Sequence, residues 1–477
     1  MTFGEYDTDM LSISEQDIRN RLELDNPWWD STDGVPEKIL PKRSYFSKLY
    51  GLVADTNIKR ATILMGPRRV GKTVIIRQTI VELIDNGIVP AENTLFVSMD
   101  TPVYVGLSLE QILKLFLDEK QLNEKSQAFV FFDEVQYLQD WEIHLKDLVD
   151  RYPNIKFVAS GSAAAALKLK SNESGAGRFT DFMLPPLTFA EFIHFSGRDD
   201  LIIKSDRSPT EDTTTNVEEL NKAFVEYINF GGYPEVVMSQ GVRKDSKRFV
   251  KQDIIDKVLL RDLPSLYGIR DTRELNRLFT VLAYNTGNEV SLEGLSKESQ
   301  VTKEQLKKYL EYLEAAFLIV TVTKVDETGK HFKRQRQFKV YLTNPSMRAA
   351  LFSPVSEDDP AMGALTETAI FSQWFHSPEM EMIHYARWKK GEVDLVKIDN
   401  RLKPAWAYEI KWSDRYFDRP EELKSLIKFS KDSKLSKVGC STKTKSGTQT
   451  IADVEIAYFP SSLHCYQVGR RVTNEDN

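Results

Sequence analysis

An α/β fold is predicted for the front of this chain, on two observations. Short apolar runs alternate with stretches of helical period, and a glycine-rich turn joins the first run to the first helix. Apolar runs without polar alternation are strands covered on both faces, the habit of a parallel sheet whose crossovers are helices.

The runs are Ala61–Met65, Leu95–Ser98, Phe129–Phe132 and Lys156–Ala159, with helices expected over Thr73–Asp85 and Leu109–Leu117. Residues 1–40 are polar apart from Trp28 and Trp29 and read as an extension laid over the core. Ser205–Asn216, rich in turn and β-branched polar residues, reads as an exposed loop or linker. Helical patterns follow from Val217 to Asp262. Three helices (Glu274–Tyr284, Leu292–Lys297, Lys303–Ala316) and two strands (Leu318–Val325, Gln337–Leu342) then give the order of a winged helix-turn-helix. The remainder is α/β again: a helix over Ala364–Trp374, strands at Met382–Ala386, Glu392–Lys397 and Ala405–Trp412, and a basic helix over Glu421–Lys431.

A chain of 477 residues exceeds one comfortable core, so about two to four domains are expected. Their expected limits are 41–200, 217–270, 271–345 and 346–477, after an N-terminal extension over 1–40. The net charge of −6 does not favour binding nucleic acid over the whole surface but allows a local basic face. The two cysteines, Cys440 and Cys465, lack metal-ligand spacing and suit a reducing compartment. The acidic start has no apolar segment, and the longest apolar runs, Phe129–Phe132 and Phe317–Val322, are too short to cross a bilayer. The expectation is a cytoplasmic protein without membrane contact. Six scattered histidines form no metal motif, and no G-x-S-x-G elbow is present.

Gly66-Pro67-Arg68-Arg69-Val70-Gly71-Lys72-Thr73 satisfies G-x-x-x-x-G-K-[ST] with a strand before it and a helix, from Val74 on, after it. Backbone N–H groups of such a loop wrap phosphates, aided by the helix N-terminus. Lys72 is placed for the β- and γ-phosphates, and the Thr73 hydroxyl for Mg²⁺. Phe129–Phe132 then delivers Asp133 and Glu134: the first as the partner of Mg²⁺, the second to orient or deprotonate the attacking water. Ser160, at the tip of the next strand, has two open readings, a γ-phosphate sensor or part of a turn capping a helix over Ala163–Leu169. Arg178 stands in a glycine-rich loop, as a phosphate ligand or a solvated arginine.

The order of these motifs resembles a large prokaryotic family of AAA-type ATP-binding proteins. The resemblance rests on GPRRVGKT, FVFFDEVQYLQDW, FVASGSAAAAL, GRFTDFMLPPLTFAEF, YINFGGYPEVV (Tyr227–Val237) and Leu260-Arg261-Asp262-Leu263, and covers about residues 40–470. It implies an AAA-type ATPase domain, a helical lid, a winged helix and a C-terminal domain like the PD-(D/E)xK, or restriction-endonuclease-like, nucleases. It supports the roles of Lys72, Thr73, Asp133 and Glu134. Arg178 falls where the family carries a Gly-Arg pair, to act within the subunit or across the interface of a homo-oligomer. Ser160-Gly161-Ser162 departs from the family's Thr-Gly-Ser but keeps the hydroxyl.

The C-terminal residues agree with that implication. Alternation puts Glu409 and Lys411 on one strand face, and a turn through Asp399 and Asn400 brings Asp394 opposite them. Glu367, on the preceding helix, completes a set able to hold Mg²⁺ or Mn²⁺, with Asp394 and Glu409 as ligands and Lys411 beside the attacking water. The alternative is a solvated Glu–Lys strand face. DNA is the expected partner, because Lys303, Lys307, Lys308, Lys324, Lys330, Lys333, Arg334, Arg336 and Lys339 cluster in the winged-helix region.

Two functions therefore stand. In one, ATP hydrolysis gates a metal nuclease acting on DNA, as in prokaryotic defence or DNA maintenance. In the other, a nucleotide-switched scaffold or DNA-binding regulator carries an inert nuclease-like domain.

Overall fold

The structure is a computed structural model that describes residues 14–161, 177–326, 328, 337–375 and 377–474. These form two compact units, the first holding residues up to 65, 72–161 and 177–182, the second the loop 66–71 and everything from 183.

The first unit is a five-stranded sheet in the order β2-β3-β4-β1-β5. Its strands are β1 (Ala61–Met65), β2 (Thr94–Ser98), β3 (Ala128–Asp133), β4 (Ile155–Gly161) and β5 (Phe179–Met183). The pairings β1–β4, β2–β3 and β3–β4 are parallel. Every residue of β1, β3 and β4 is buried, as uninterrupted apolar runs require. The helices are α1 (Glu15–Asp25), α2 (Phe46–Ala54), α3 (Lys72–Asp85), α4 (Leu109–Glu119) and α5 (Trp141–Arg151). Ser14 and Ser108 close capping boxes at α1 and α4.

The segment after α1 covers the β2 edge. The Asn26 amide donates to the Phe96 carbonyl at 3.0 Å and accepts from the Phe96 N–H at 2.6 Å, standing in for a neighbouring strand. Trp28 is buried and the Trp29 indole donates to the Thr94 carbonyl at 2.8 Å. The extension expected over the core thus lies along the edge of the sheet, held by side chains.

The second unit centres on a nine-stranded mixed sheet, β15-β16-β14-β13-β12-β11-β9-β10-β8. Before it come α6 (Phe189–Phe195), the short pair β6 (Ile202–Ile203) and β7 (Thr213–Thr214), and α7 (Val217–Phe230). Helical pieces run from Pro234 to Tyr267, with wide π turns over Phe249–Asp256 and Val258–Asp262. Then follow α8 (Thr272–Tyr284), β8 (Glu289–Ser291), α9 (Leu292–Ser299), α10 (Lys303–Ala315), β9 (Ile319–Val325) and β10 (Gln337–Leu342). The C-terminal part holds α11 (Ser346–Leu351), α12 (Met362–Trp374), β11 (Ile383–Trp388), β12 (Gly391–Ile398), β13 (Pro404–Glu409), α13 (Lys424–Asp432), β14 (Lys437–Thr442), β15 (Gly447–Ile451), β16 (Val454–Pro460) and α14 (Ser461–Asn474).

The β9–β10 hairpin is continuous with the C-terminal strands, because β9 pairs in parallel with β11 through Tyr385–Lys324 and Ala386–Val325. One apolar core runs from α6 and α7 through α12 to α14.

Residues 205–216 form a largely exposed loop, as expected, but one anchored at a buried residue. Asp212 is buried, accepts from the Ser205 N–H at 2.8 Å and pairs with Arg470, while Gln467 donates to the Thr210 and Asp212 carbonyls at 3.1 and 2.9 Å. The final helix pins this polar stretch, a long-range contact that local composition does not announce. The helix expected at Ala163–Leu169 and the basic residues Lys330, Lys333, Arg334 and Arg336 lie outside the described residues.

Asn26→Ala deletes both links to the β2 edge and leaves the Phe96 backbone groups unpaired. We expect a loss of about 2 kcal/mol or more in unfolding free energy, read by urea denaturation with an unchanged m-value.

Candidate functional site

The phosphate loop follows β1, and Lys72 opens α3. Glycine is required at both ends of the loop. A Cβ on Gly66 would lie 2.0 Å from the Leu184 carbonyl oxygen, and Gly71 has φ +95°. The side chains of Arg68 and Arg69 are engaged by residues to which the sequence alone gives no role. Arg68 makes a two-point pair with Asp262, at 2.7 and 2.9 Å. Arg69 meets Glu235 at 3.2 Å and Asp253 at 3.5 Å and lies over the Phe249 ring. Pro67 and Val70 complete the loop, with Val70 buried.

The carboxylate expected beside Mg²⁺ is in place. Asp133, at the tip of β3, is buried and accepts from the Thr73 hydroxyl at 2.6 Å and from the Ser160 hydroxyl. Burial, with Glu134 next to it, raises the Asp133 carboxyl above its ordinary range, against the two hydroxyl donors and the Lys72 charge. Glu134 stands in the left-handed region (φ 53°), and its N–H donates to Asp133 Oδ1 at 3.1 Å. Its carboxylate accepts from Gln136. Thr73 and Asp133 fit a Mg²⁺ ion that takes its other ligands from nucleotide phosphates and water.

Of the two readings of Ser160, the hydroxyl is directed at Asp133. Arg178 is elsewhere. Its carbonyl accepts from the N–H of Ala61, at the start of β1, and its guanidinium pairs with Asp150 at 3.1 Å. The loop leaves the other end of this five-residue strand, about 15 Å away. Arg178 of the same chain therefore does not stand at the phosphates.

The C-terminal set also gathers. Register pairs Leu395 with Tyr408, which brings Asp394 opposite Glu409. Lys411 Nζ lies 2.7 Å from Glu409 and 3.3 Å from Asp394 Oδ2, which also accepts from the Ile410 N–H at 2.8 Å. Glu367 joins through a residue that the sequence pattern places in a basic, phosphate-facing wing. Lys339, on β10, is 3% exposed, and its ammonium lies 2.7 Å from Glu367, 2.7 Å from Glu392 and 3.8 Å from Asp394. This corrects the wing assignment: Lys339 points into the protein. Lys324 is likewise turned to Gln337 at 2.8 Å and Glu289 at 3.8 Å. Tyr341, two residues along the same face of β10, also donates to Glu367.

The lysines govern the acids. Burial works to raise the Asp394 carboxyl, but Lys411 and Lys339 outweigh it and hold it below the usual range. Glu367 is raised, by burial and by Asp394. Glu409 is pushed up to about 8 by burial and then Asp394, and its Oε2 is buried without a hydrogen-bond partner among the described residues. Burial works against the Lys339 and Lys411 charges, but the carboxylates around them outweigh it and raise both. The set does not fit a resident divalent ion, because each of its carboxylates already carries an ammonium, on one oxygen of Glu367 and of Glu409 and on both of Asp394. Among the described residues no group of three or more His, Cys, Asp or Glu is placed to hold a metal.

Comparison with known proteins bears on the first of these sites. Residues 58–193 match the family model for an AAA domain, and residues 221–358 match one described as a domain of unknown function, DUF8612. The sheet, the loop and the match agree on an AAA-type P-loop domain in the front of the chain. An uncharacterized protein of Methanocaldococcus jannaschii is similar at 26% identity over 422 residues, 84% of this chain and 87% of its own length. An uncharacterized protein of Haemophilus influenzae is similar at 25% identity over 319 residues, 66% of this chain and 74% of its own. Among solved structures, the Walker-type ATPase PABY2304 of Pyrococcus abyssi aligns with TM-score 0.39 at 17% identity, covering 66% of this chain and 97% of that one. No helix among the described residues is long and apolar enough to cross a membrane.

The protonation of Glu409 has a measurable consequence. A carboxyl raised to about 8 binds its proton in the folded chain while the unfolded chain has released it, so its contribution is lost as pH rises towards 8. Glu409→Gln removes this dependence. We expect the variant to gain a few degrees in Tm relative to the parent at pH 9, and less at pH 6, by calorimetry.

Proposed function

We propose that the chain binds ATP with Mg²⁺ at residues 66–74 and hydrolyses it. Lys72 is the phosphate-binding cation, Thr73 and Asp133 hold the metal, and Glu134 positions the attacking water. The observation that carries the reading is the 2.6 Å link between Thr73 and the buried Asp133, on strands and helix of an AAA-type domain. Mg²⁺ neutralises phosphate charge when bound. The chain's own part is to present the loop N–H groups, to fix Asp133 through Thr73 and Ser160, and to hold Glu134 at the strand tip. Arg178, if it serves a phosphate, serves that of a neighbouring copy in a homo-oligomer.

The partner we propose for the nucleotide switch is DNA. Lys303, Lys307 and Lys308 stand exposed on α10, the third helix of the winged-helix order. Of the two roles open to the C-terminal part, the lysines seated on Glu367, Asp394 and Glu409 favour the second, a nuclease-like domain acting as a scaffold under ATPase control.

Lys72→Ala should abolish tight binding of a fluorescent ATP analogue. Glu134→Gln should keep that binding and lose about a hundredfold or more in phosphate release. Full turnover in the Glu134→Gln chain would refute the assignment. Duplex DNA should change the parent's ATPase rate, and Lys307→Glu with Lys308→Glu should weaken DNA binding, most steeply at low salt, by fluorescence anisotropy. A rate indifferent to DNA and unaltered anisotropy would remove DNA from the reading.

A further inference from the structure

The carboxylates of the C-terminal cluster come from three places. Glu367 lies on α12, Glu392 and Asp394 share a face of β12, and Glu409 ends β13. Acids brought together in this way repel one another and lose hydration, so a buried set of them persists only around a cation. Lys411 supplies one charge at the rim, between Asp394 and Glu409. It does not reach the inner side, where Glu367, Glu392 and Asp394 face each other. Lys339 does, and it arrives from outside the acids' own strands and helix. It lies on β10, where it pairs in register with Val322 of β9 and Glu289 of β8.

We propose that the Lys339 ammonium is the resident cation of this cluster, seated where a divalent ion would otherwise be held, so that β10 closes the C-terminal domain to metal. Three features support it. The ammonium is at 2.7 Å from two carboxylates and 3.8 Å from a third, within one pocket of charge. Its other neighbours stabilise a cation: the Tyr385 ring has its centroid 5.3 Å from Nζ, and the Tyr341 hydroxyl holds Glu367 in place. The Lys339 side chain is 3% exposed, so its ammonium is solvated by these carboxylates rather than by bulk water. The inference takes from the proposed function only the nuclease-like reading of this domain, and it is independent of ATP turnover.

Removing the lysine should therefore expose a cation site. The test uses the full chain without nucleotide, with Mn²⁺ alone as the probe, followed by electron paramagnetic resonance and titration calorimetry. The parent should show no Mn²⁺ binding that Asp394→Asn removes. Lys339→Met should gain one Mn²⁺ per chain, lost again in the Lys339→Met, Asp394→Asn double variant. Folding is followed by circular dichroism. A Lys339→Met chain that is unfolded alone and folds on adding Mn²⁺ gives the same answer, since the metal then replaces the ammonium. A parent that binds Mn²⁺ in an Asp394-dependent way overturns the proposal. So does a Lys339→Met chain that Mn²⁺ neither binds nor folds. Neither result bears on phosphate release, so failure here is distinct from failure of the ATPase assignment.

Discussion

The second unit is organised around the cost of burying charge. Its nine-stranded sheet carries Lys339, Glu392, Asp394 and Glu409 in one cluster, which Glu367 joins from α12. An ammonium or carboxylate alone in that position would cost several kcal/mol, whereas mutual pairing with hydrogen bonds to Tyr341 and the Ile410 N–H offsets most of it. The pairs connect β10 to α12 and β12, elements far apart in sequence. Such a cluster is weak evidence of added stability, since an apolar replacement of the whole set often does as well. What it does fix is register. A one-residue slip of β10 would turn Lys339 to the opposite face and take its ammonium from Glu367, while Asp394 would keep Lys411 and Glu392 would keep Arg387.

The first unit solves the same problem differently. Asp133 is as deeply buried as Asp394, yet its carboxyl is raised where that of Asp394 is lowered. The difference is the company. Asp394 has two lysines at hydrogen-bonding or near distance, while Asp133 is held by two hydroxyls and has Glu134 adjoining it. A carboxylate steadied by neutral donors and raised by burial favours the arrival of a cation, and Mg²⁺ on a nucleotide is one. A carboxylate already paired with ammonium groups does not. The contrast separates the two acidic sites more sharply than their sequence motifs do.

That contrast also explains which parts are legible in the sequence. The strands of the first unit are apolar runs, and their identity follows from composition alone. Thr73 and Asp133 are legible because a phosphate loop and a strand ending in Asp are local patterns. Asp394, Glu409 and Lys411 are legible because alternation and one turn are enough to align them, and Glu367 because it stands on the helix before those strands. Lys339 is hidden, since Lys330, Lys333, Arg334, Arg336 and Lys339 read as one basic strip, and only the spacing to Tyr341 hints that the last of them shares a buried face. Asp212 is hidden in a polar stretch for the same reason: its partners, Gln467 and Arg470, come from the final helix. Loop composition singles out Arg178, but which end of β1 that loop meets is a property of the sheet.

The phosphate loop extends this point to coupling. Arg68 and Arg69 fill variable positions of the motif, where any residue serves to wrap a phosphate. Here both are tied to acids between Glu235 and Asp262, and two of those acids, Asp253 and Asp262, lie in the π turns. A π turn is a rarer helix than an α turn and occurs mostly in single turns. The bidentate Arg68–Asp262 pair is 16% and 11% exposed on its two sides, enough burial for geometry and charge to matter. The YPE and LRDL stretches are prominent in the sequence and have no chemistry of their own. What they supply is partners for the loop's side chains, Glu235 for Arg69 and Asp262 for Arg68.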